Sequence, residues 1–285
     1  MVHEGARLLS LATGLPLVID FRDPWQLTVR LPEAIAHPVW LRLAVRYERR
    51  VVQRASLAIV NTDPCRVAMQ AVYPDAHDRI LTVMNGYDED PLPPSSPERR
   101  FRVAYAGSIL LDRSPRTLFR AAAQVVRELR LTPEDFSIEF LGDVVSHDGL
   151  TIDLLAEQEG LRGFVRVLPT RHRREALEFL GRASLLVSLP QDTHLAIPSK
   201  IFEYLRFDAP ILALAEKGSA TELVLHETRA RVLPPADVLG IANVIAACYK
   251  DRCAGRRPSG AVNDDRLSRR VQAQKLFAAI EELVP

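Results

Sequence analysis

Cysteine and net charge are both scarce in this sequence. Its three cysteines, Cys65, Cys248 and Cys253, are an odd number without a CxxC spacing, which excludes a disulfide framework and a paired-cysteine metal site. The 37 Lys and Arg residues against 36 Asp and Glu residues leave a formal net charge of +1, which disfavours nucleic acid as a partner. The cysteine content predicts a protein of a reducing compartment, and the low net charge predicts that it binds no nucleic acid.

Long hydrophobic runs are missing as well. The sequence contains no run of about 18 uncharged apolar residues, so no helix is expected to span a bilayer. Residues 1–14 lack the apolar core of a signal peptide. Hydrophobic residues make up 47% of the chain and charged residues 26%, which excludes a disordered or collagen-like protein. We therefore predict a folded cytoplasmic protein.

Short apolar runs alternate with helical patterns along the chain, which is typical of a parallel sheet covered by helices. The predicted strands are 15–19, 57–61, 80–84, 101–106, 136–141, 164–168, 184–189, 210–214 and 230–233. Runs such as LLVSL and PILAL are apolar on both faces, as buried parallel strands require. The pattern predicts an α/β protein with parallel sheets.

A break in the pattern divides the chain. Residues 88–100 concentrate Pro, Ser and charge without periodicity and predict an interdomain linker. We predict two Rossmann-like domains, one over 1–90 and one over 91–264. The second has about six β-α units, enough for a doubly wound sheet, whereas the first has about three strands, half of such a sheet. We therefore expect an incomplete first domain, with the missing half lost, upstream of a late start, or on a partner chain.

One predicted helix has an arginine-rich side. Its apolar stripe comprises Trp40, Leu43, Ala44, Tyr47 and Val51. Its polar side carries Arg42, Arg46, Arg49, Arg50 and Arg54, which could contact anionic lipid head groups or a lipid diphosphate. A solvated face with Glu48 as an ion-pair partner is the favoured alternative.

Residues 197–224 carry the most informative motif. Pro198 can occupy the first turn of a helix, which puts Ser199 and Lys200 at its N-terminus, where backbone N–H groups and the helix dipole favour an anion. Lys200 adds a positive charge suited to a diphosphate, and Glu203, one turn on, could accept hydrogen bonds from ribose hydroxyls. The alternative is a surface ion pair between Lys200 and Glu203.

A second motif surrounds Gly107. A predicted strand ends in Gly107 and Ser108, and a loop with Arg113 leads to a helix that we expect to begin with Ser114 as N-cap and Pro115 as first residue. Gly107 permits close backbone approach at the carboxyl end of a strand, where doubly wound sheets bind ligands. Neither a GxGxxG fingerprint nor a P-loop is present, and an ordinary β-α turn is the alternative.

Metal ligands are not grouped in the sequence. The seven histidines include no i, i+4 pair, which disfavours a zinc site. Asp88, Glu89 and Asp90 have the DxD spacing of a metal-binding motif, but they begin the linker, so solvated charge is favoured. The sequence predicts no metal site.

The motifs AGSI, FLGD and PSKIFEYL, in this order, resemble the donor half of the family 4 glycosyltransferases, which have the GT-B fold. Upstream, LPLVIDFRDPW, IVNTD and VMNGYD resemble the later part of that family's acceptor domain. The final helix, over 265–285, resembles the segment that crosses back onto the first domain. The resemblance implies an acceptor-side domain over 1–90 and a donor-binding domain over 91–264.

The resemblance also implies a role for each matching residue. The donor-binding residues would be Gly107, Ser108, Arg113, Pro169, Thr170, Ser199, Lys200 and Glu203. Arg113 and Lys200 would hold the diphosphate, and Glu203 would bind the ribose. Pro169 and Thr170 would frame the base.

Two positions depart from the family pattern. Where the family often has a catalytic His, this sequence offers Asp20, Arg22 or Asp23. The family's second Glu, which touches the donor sugar, is replaced by Leu195, with Thr193 and His194 beside it. Asp20, Arg22 and Asp23 are therefore the predicted catalytic residues.

The implied function is metal-independent transfer of a sugar from a nucleotide-sugar donor to an acceptor hydroxyl in glycan or glycolipid biosynthesis. The nucleotide sugar is a substrate, and no cofactor is expected. The acceptor would be a sugar, a lipid-linked molecule or another small molecule, and the arginine-rich helix could bring the protein to the inner face of the membrane. Two alternatives stay open: another GT-B enzyme, such as a nucleotide-sugar epimerase, or a non-catalytic binding or scaffold subunit.

Overall fold

The computed structural model describes residues 2–27, 37–94, 98–109, 113–144, 146–147, 149–189, 194–256 and 264–283. The chain divides into two compact units. Unit 1 comprises Met1–Gly86, Leu195–Ile197 and Asp265–Pro285, and unit 2 comprises Tyr87–His194 and Pro198–Asp264. Among the described helices, none is long and apolar enough to cross a membrane.

The two units alternate strands and helices. The strands are β1 (Val18–Phe21), β2 (Leu57–Val60), β3 (Ile80–Thr82), β4 (Phe101–Ala106), β5 (Phe136–Leu141), β6 (Ser146–His147), β7 (Leu150–Thr151), β8 (Val165–Leu168), β9 (Leu185–Ser188), β10 (Ile211–Leu214) and β11 (Arg231–Leu233). The α-helices are α1 (Val2–Thr13), α2 (Pro38–Arg54), α3 (Asp63–Val72), α4 (Arg116–Leu129), α5 (Ile152–Gln158), α6 (Arg173–Gly181), α7 (Ser199–Tyr204), α8 (Ala220–Leu225), α9 (Val238–Cys253) and α10 (Arg269–Glu281). In the described part of the chain, 3₁₀ helices cover Pro74–Arg79 and Asp265–Leu267. The nine predicted strands are confirmed, and the short antiparallel β6–β7 hairpin was missed because two-residue strands leave no pattern.

Unit 1 is built on a three-stranded parallel sheet in the order β1-β2-β3. All four residues of β2 are buried. Because alternate side chains of a strand point to opposite faces, both faces of β2 must be covered. Ala58 and Val60 belong to one cluster with Val51 of α2, whereas Leu57 and Ile59 belong to another that α10 covers. A central strand with both faces covered explains its uninterrupted apolar sequence.

The apolar stripe predicted for α2 is only partly buried. Val51 is 1% exposed, but Trp40 is 70% exposed and Tyr47 38% exposed. Glu48, assigned from the sequence to the solvated arginine face, is instead fully buried. The assignment of Glu48 was wrong because a charged residue among arginines carries no sequence signal of burial.

Unit 2 is built on a six-stranded, wholly parallel sheet in the order β11-β10-β9-β4-β5-β8. Counted within the unit without the hairpin, this order is 6-5-4-1-2-3, that of a doubly wound Rossmann sheet. The winding reverses between β4 and β9, and ligands of such sheets bind outside the carboxyl ends of the strands at that point. Together with the sheet of unit 1, this confirms the predicted α/β class with two parallel sheets.

Two helix starts differ from the sequence prediction. α4 begins at Arg116, and Pro115 precedes it with helical backbone angles, while Ser114 Oγ accepts a hydrogen bond from the Arg116 N–H at 3.3 Å. α7 begins at Ser199, and Pro198 lies just before it rather than in its first turn. Both shifts are of one residue, within the range by which helix ends are defined.

Candidate functional site

The backbone and a lysine converge at the reversal point of the unit 2 sheet. Gly107 follows β4 with φ +121°, a conformation that side chains disfavour. A Cβ atom on Gly107 would lie 2.9 Å from Lys200 Nζ. Lys200 stands in the first turn of α7, the helix that follows β9. The absence of a side chain at Gly107 therefore makes room for the ammonium group beside the end of β4.

The ammonium of Lys200 rests on an aromatic ring. Its Nζ lies 3.4 Å from the ring centroid of Tyr105, within the range of a cation–π interaction. Burial, and then repulsion from Arg113, hold the pKa of Lys200 well below that of a free lysine. A bound anion would raise the pKa of Lys200 again, since its negative charge favours the charged form of the lysine and offsets the repulsion from Arg113.

A second glycine supports the backbone of Gly107. Gly142 follows β5 with φ +137°, and a Cβ atom there would lie 2.8 Å from the Gly107 carbonyl oxygen. The Gly107 N–H donates to Leu141 O at 2.8 Å, and the Gly142 N–H donates to Leu168 O at 3.0 Å. The carboxyl ends of β4, β5 and β8 are thus joined by backbone hydrogen bonds.

Glu203 forms ion pairs with two arginines. Its Oε1 lies 2.9 Å from Arg173 Nη2 of α6, and its Oε2 lies 3.5 Å from Arg206 Nη1. These pairs differ from the Lys200–Glu203 surface pair that the sequence offered as an alternative, because Lys200 Nζ lies over the Tyr105 ring instead. Two arginines thus hold the carboxylate of Glu203, a residue of α7, in a fixed position.

Asp88 belongs to the same ion-pair network. Its Oδ2 lies 2.7 Å from Arg173 Nη2 with a quarter of the side chain exposed, and Glu89 and Asp90 are exposed. The Asp90 carbonyl oxygen accepts a hydrogen bond from Arg206. Within the described residues, no group of three or more His, Cys, Asp or Glu side chains could hold a metal ion.

The remaining predicted donor-binding residues lie at the same edge of unit 2. Ser108 follows Gly107, and its carbonyl oxygen accepts a hydrogen bond from the Tyr105 hydroxyl at 2.8 Å. Pro169 and Thr170 are exposed directly after β8, and Ser199 is exposed at the start of α7. Their roles toward a nucleotide stay predictions.

The predicted catalytic residues lie in unit 1. Asp20 is the third residue of β1, and its Oδ2 lies 2.9 Å from Arg22 Nη2. Arg22 Nη1 donates to Asn85 Oδ1 at 2.9 Å, and Asn61 Nδ2 donates to the Arg22 carbonyl oxygen at 2.9 Å. The structure brings Asp20 and Arg22 together at the end of β1, with Asp23 in the loop that follows.

The buried Glu48 holds this loop in place. Its Oε2 accepts hydrogen bonds from the Trp25 N–H at 2.5 Å and the Gln26 N–H at 3.4 Å. Its Oε1 accepts one from the Tyr73 hydroxyl at 2.8 Å. Burial raises the pKa of Glu48, and these hydrogen bonds offset part of the rise. The loop that carries Asp23 is therefore tied to α2 through one carboxylate.

The raised pKa of Glu48 predicts a pH effect on stability. The unfolded chain releases this proton at lower pH than the folded chain, so the free energy of unfolding falls as pH rises from about 4.5 through the higher folded-state pKa. Glu48→Gln should remove that fall, whereas Glu281→Gln, an exposed change on α10, should keep it. Urea unfolding at a series of pH values measures this. An unchanged slope in Glu48→Gln would contradict the assignment.

Leu195, which replaces a family glutamate, belongs to unit 1. It is 8% exposed within the hydrophobic cluster that contains Val51 and Met69. Its carbonyl oxygen accepts a hydrogen bond from Thr62 Oγ1 at 2.5 Å. A carboxylate at this position would be buried among apolar side chains, which explains the leucine. Its neighbour Thr193 lies outside the described residues.

Solved glycosyltransferase structures are similar to this chain. Anabaena HepE in complex with UDP-glucose matches with a TM-score of 0.71 and 18% identity, over 97% of this chain and 75% of that one. Sucrose-phosphate synthase from Thermosynechococcus elongatus matches at 0.67 and 16%, over 93% and 67%. A glycosyltransferase from Rickettsia africae matches at 0.65 and 12%, over 99% and 80%. No protein-family model and no curated protein sequence matches. These similarities establish the GT-B fold.

Proposed function

We propose that this protein transfers a sugar from a nucleoside-diphosphate sugar to an acceptor hydroxyl. The observation that carries the proposal is the placement of Lys200 beside Gly107 at the reversal point of the unit 2 sheet, where the ammonium has Arg113 as a neighbouring cation. Two cations at the ligand-binding edge of a Rossmann sheet fit a diphosphate. The UDP-glucose bound to Anabaena HepE supports a uridine nucleotide as the first donor to test.

In this proposal the two cations act on the leaving group. The bond between the sugar carbon C1 and the diphosphate oxygen breaks as C1 bonds to the acceptor oxygen, and negative charge grows on the diphosphate. Lys200 and Arg113 would stabilise that charge more in the transition state than in the bound donor, which is the condition for catalysis. They would take the place that a divalent metal has in other transferases. Glu203, fixed by Arg173, would accept hydrogen bonds from the ribose.

The proposed acceptor chemistry involves unit 1. Asp20 and Asp23 are carboxylates that could accept the acceptor proton, and Arg22 fixes the orientation of Asp20 through their ion pair. A sugar, a lipid-linked molecule or another small molecule are all candidate acceptors. The exposed arginines of α2 (Arg42, Arg46, Arg49 and Arg50) support peripheral contact with anionic lipid as part of the same proposal.

A turnover assay tests the reaction. We expect the full chain to release nucleoside diphosphate from one of UDP-glucose, GDP-mannose, ADP-glucose and dTDP-glucose, with faster release when a suitable sugar or glycolipid acceptor is added. Donor binding without release would contradict the enzyme assignment and favour a binding subunit. Conversion of the donor to an epimeric sugar nucleotide would instead favour an epimerase.

A further inference from the structure

Tyr105 contacts the candidate diphosphate site through its ring. It is the fifth residue of β4, is 1% exposed, and packs on Phe140 with ring centroids 5.6 Å apart. The ring also lies beneath the ammonium of Lys200, at 3.4 Å from centroid to Nζ. Tyr105 therefore contacts both the hydrophobic core of unit 2 and the ammonium of Lys200.

The hydroxyl of Tyr105 contacts the rest of the same site. It donates a hydrogen bond to the Ser108 carbonyl oxygen at 2.8 Å. It also accepts a hydrogen bond from the Arg113 side chain. Burial raises the pKa of Tyr105, and the nearby charge of Arg113 lowers it in part. The two candidate diphosphate cations, which would repel each other, therefore share one neutral partner.

We propose that Tyr105 is a positioning residue that holds Lys200 and Arg113 in place for the donor diphosphate. This inference rests on the proposed function. The electron-rich face of the ring attracts the ammonium, and the attraction is strongest where water is excluded, as beside this buried ring. The hydroxyl fixes the Ser108 backbone and Arg113, so neither cation has to be ordered at the moment when the nucleotide binds.

Two substitutions distinguish the contribution of the Tyr105 ring from that of its hydroxyl. Tyr105→Phe keeps the face under Lys200 and removes the bonds to Ser108 and Arg113, whereas Tyr105→Leu removes both. Phe136→Leu is the matched control, because Phe136 is fully buried on the neighbouring β5 and packs on Phe101. It loses a comparable aromatic contact at the amino end of β5, whereas Lys200 lies beside the carboxyl end of β4.

The test is calorimetric titration of the full-length variants with UDP, GDP, ADP and dTDP. We expect Tyr105→Leu to weaken binding roughly 10-fold, Tyr105→Phe to weaken it by a few-fold, and Phe136→Leu to leave it unchanged. Equal affinities for Tyr105→Leu and Phe136→Leu would overturn the inference. If Tyr105→Leu does not fold, wild-type affinity in Tyr105→Phe would overturn it. Absence of binding to the wild type would instead overturn the proposed function, and the inference with it.

The pH profile of binding gives a readout that a purely structural role would not move. Loss of the ring should lower the pKa of Lys200 further, so nucleotide affinity should decline at a lower pH in Tyr105→Leu than in Phe136→Leu. Among the described residues, Arg113 is the charged group that acts on Lys200 from another element, and Glu203 and Tyr204 are the other titratable residues of α7 itself. Superimposable profiles for the two leucine variants would contradict a positioning role for Tyr105.

Discussion

Replacing Lys200 with alanine is expected to lower the rate of sugar transfer by on the order of 10²-fold or more, the scale of losing one preorganised charge-stabilising donor. The ammonium lies beside Gly107 at the carboxyl end of β4. The positive charge of the neighbouring Arg113 favours binding of an anion there. In the proposed reaction, loss of the ammonium would remove an interaction that grows as the leaving diphosphate gains charge. The measurement is steady-state release of nucleoside diphosphate by the purified full-length variant.

Lys250→Ala is the matched control for this substitution. Lys250 is exposed in the last turn of α9, beside Tyr249, which packs on Phe101 at the amino end of β4, so its removal deletes the same charge at the other end of that strand. We expect its turnover to equal that of the wild type. Unchanged turnover and donor affinity in Lys200→Ala would rule out the assignment of the site.

Gly107→Ala is expected to weaken nucleoside-diphosphate binding by about 10-fold or more. The backbone at φ +121° disfavours any side chain, and the new Cβ would lie 2.9 Å from Lys200 Nζ and displace it. A displacement of a catalytic cation by about 1 Å is enough for a large effect. Calorimetric affinity for the nucleotide that binds the wild type is the measurement.

Gly160→Ala is the matched control, because it introduces the same kind of backbone strain without a contact to Lys200. Gly160 has φ +83°, and no atom lies within 4 Å of its Cβ position. It should therefore lose folding stability, of the order of 1 kcal/mol, and keep the nucleotide affinity of the wild type. Equal affinities in the two alanine variants would show that the space at Gly107 has no part in binding.

The sequence predicts the strands of both sheets well because each is a short, mostly apolar run. β4 and β5 have the predicted bounds, since each lies between polar segments that stop the apolar run. β1 begins three residues later than predicted, and so Asp20 lies within the strand, paired with Ile59 of β2. Pro16, which has no backbone N–H to donate, lies before the observed strand.

Side-chain partners could not be predicted in the same way. Tyr105 has the sequence signal of an ordinary buried strand residue, and only its place under Lys200 singles it out. Arg173, which pairs with both Asp88 and Glu203, is one of several arginines in a short run and has no distinguishing pattern. Contacts between residues 30 or more positions apart depend on the strand order, which spacing does not encode.

Buried charge was the other source of error. Glu48 stands among arginines on α2, and its neighbours in sequence favour an exposed ion pair. Its actual partners are the backbone of Trp25 and Gln26 and the hydroxyl of Tyr73, all more than 20 positions away. A buried carboxylate with three hydrogen-bond donors is stable only in the folded chain, so the sequence around it carries no trace of the arrangement.

The central claim is that unit 2 binds a nucleoside diphosphate at the carboxyl ends of β4 and β9. Calorimetric titration of the wild-type chain and of Lys200→Ala with UDP, GDP, ADP and dTDP tests it most directly. The structure predicts saturable binding of at least one of the four to the wild type, weakened at least about 10-fold in Lys200→Ala. Absence of binding to all four, or equal affinity in the two proteins, would contradict the claim.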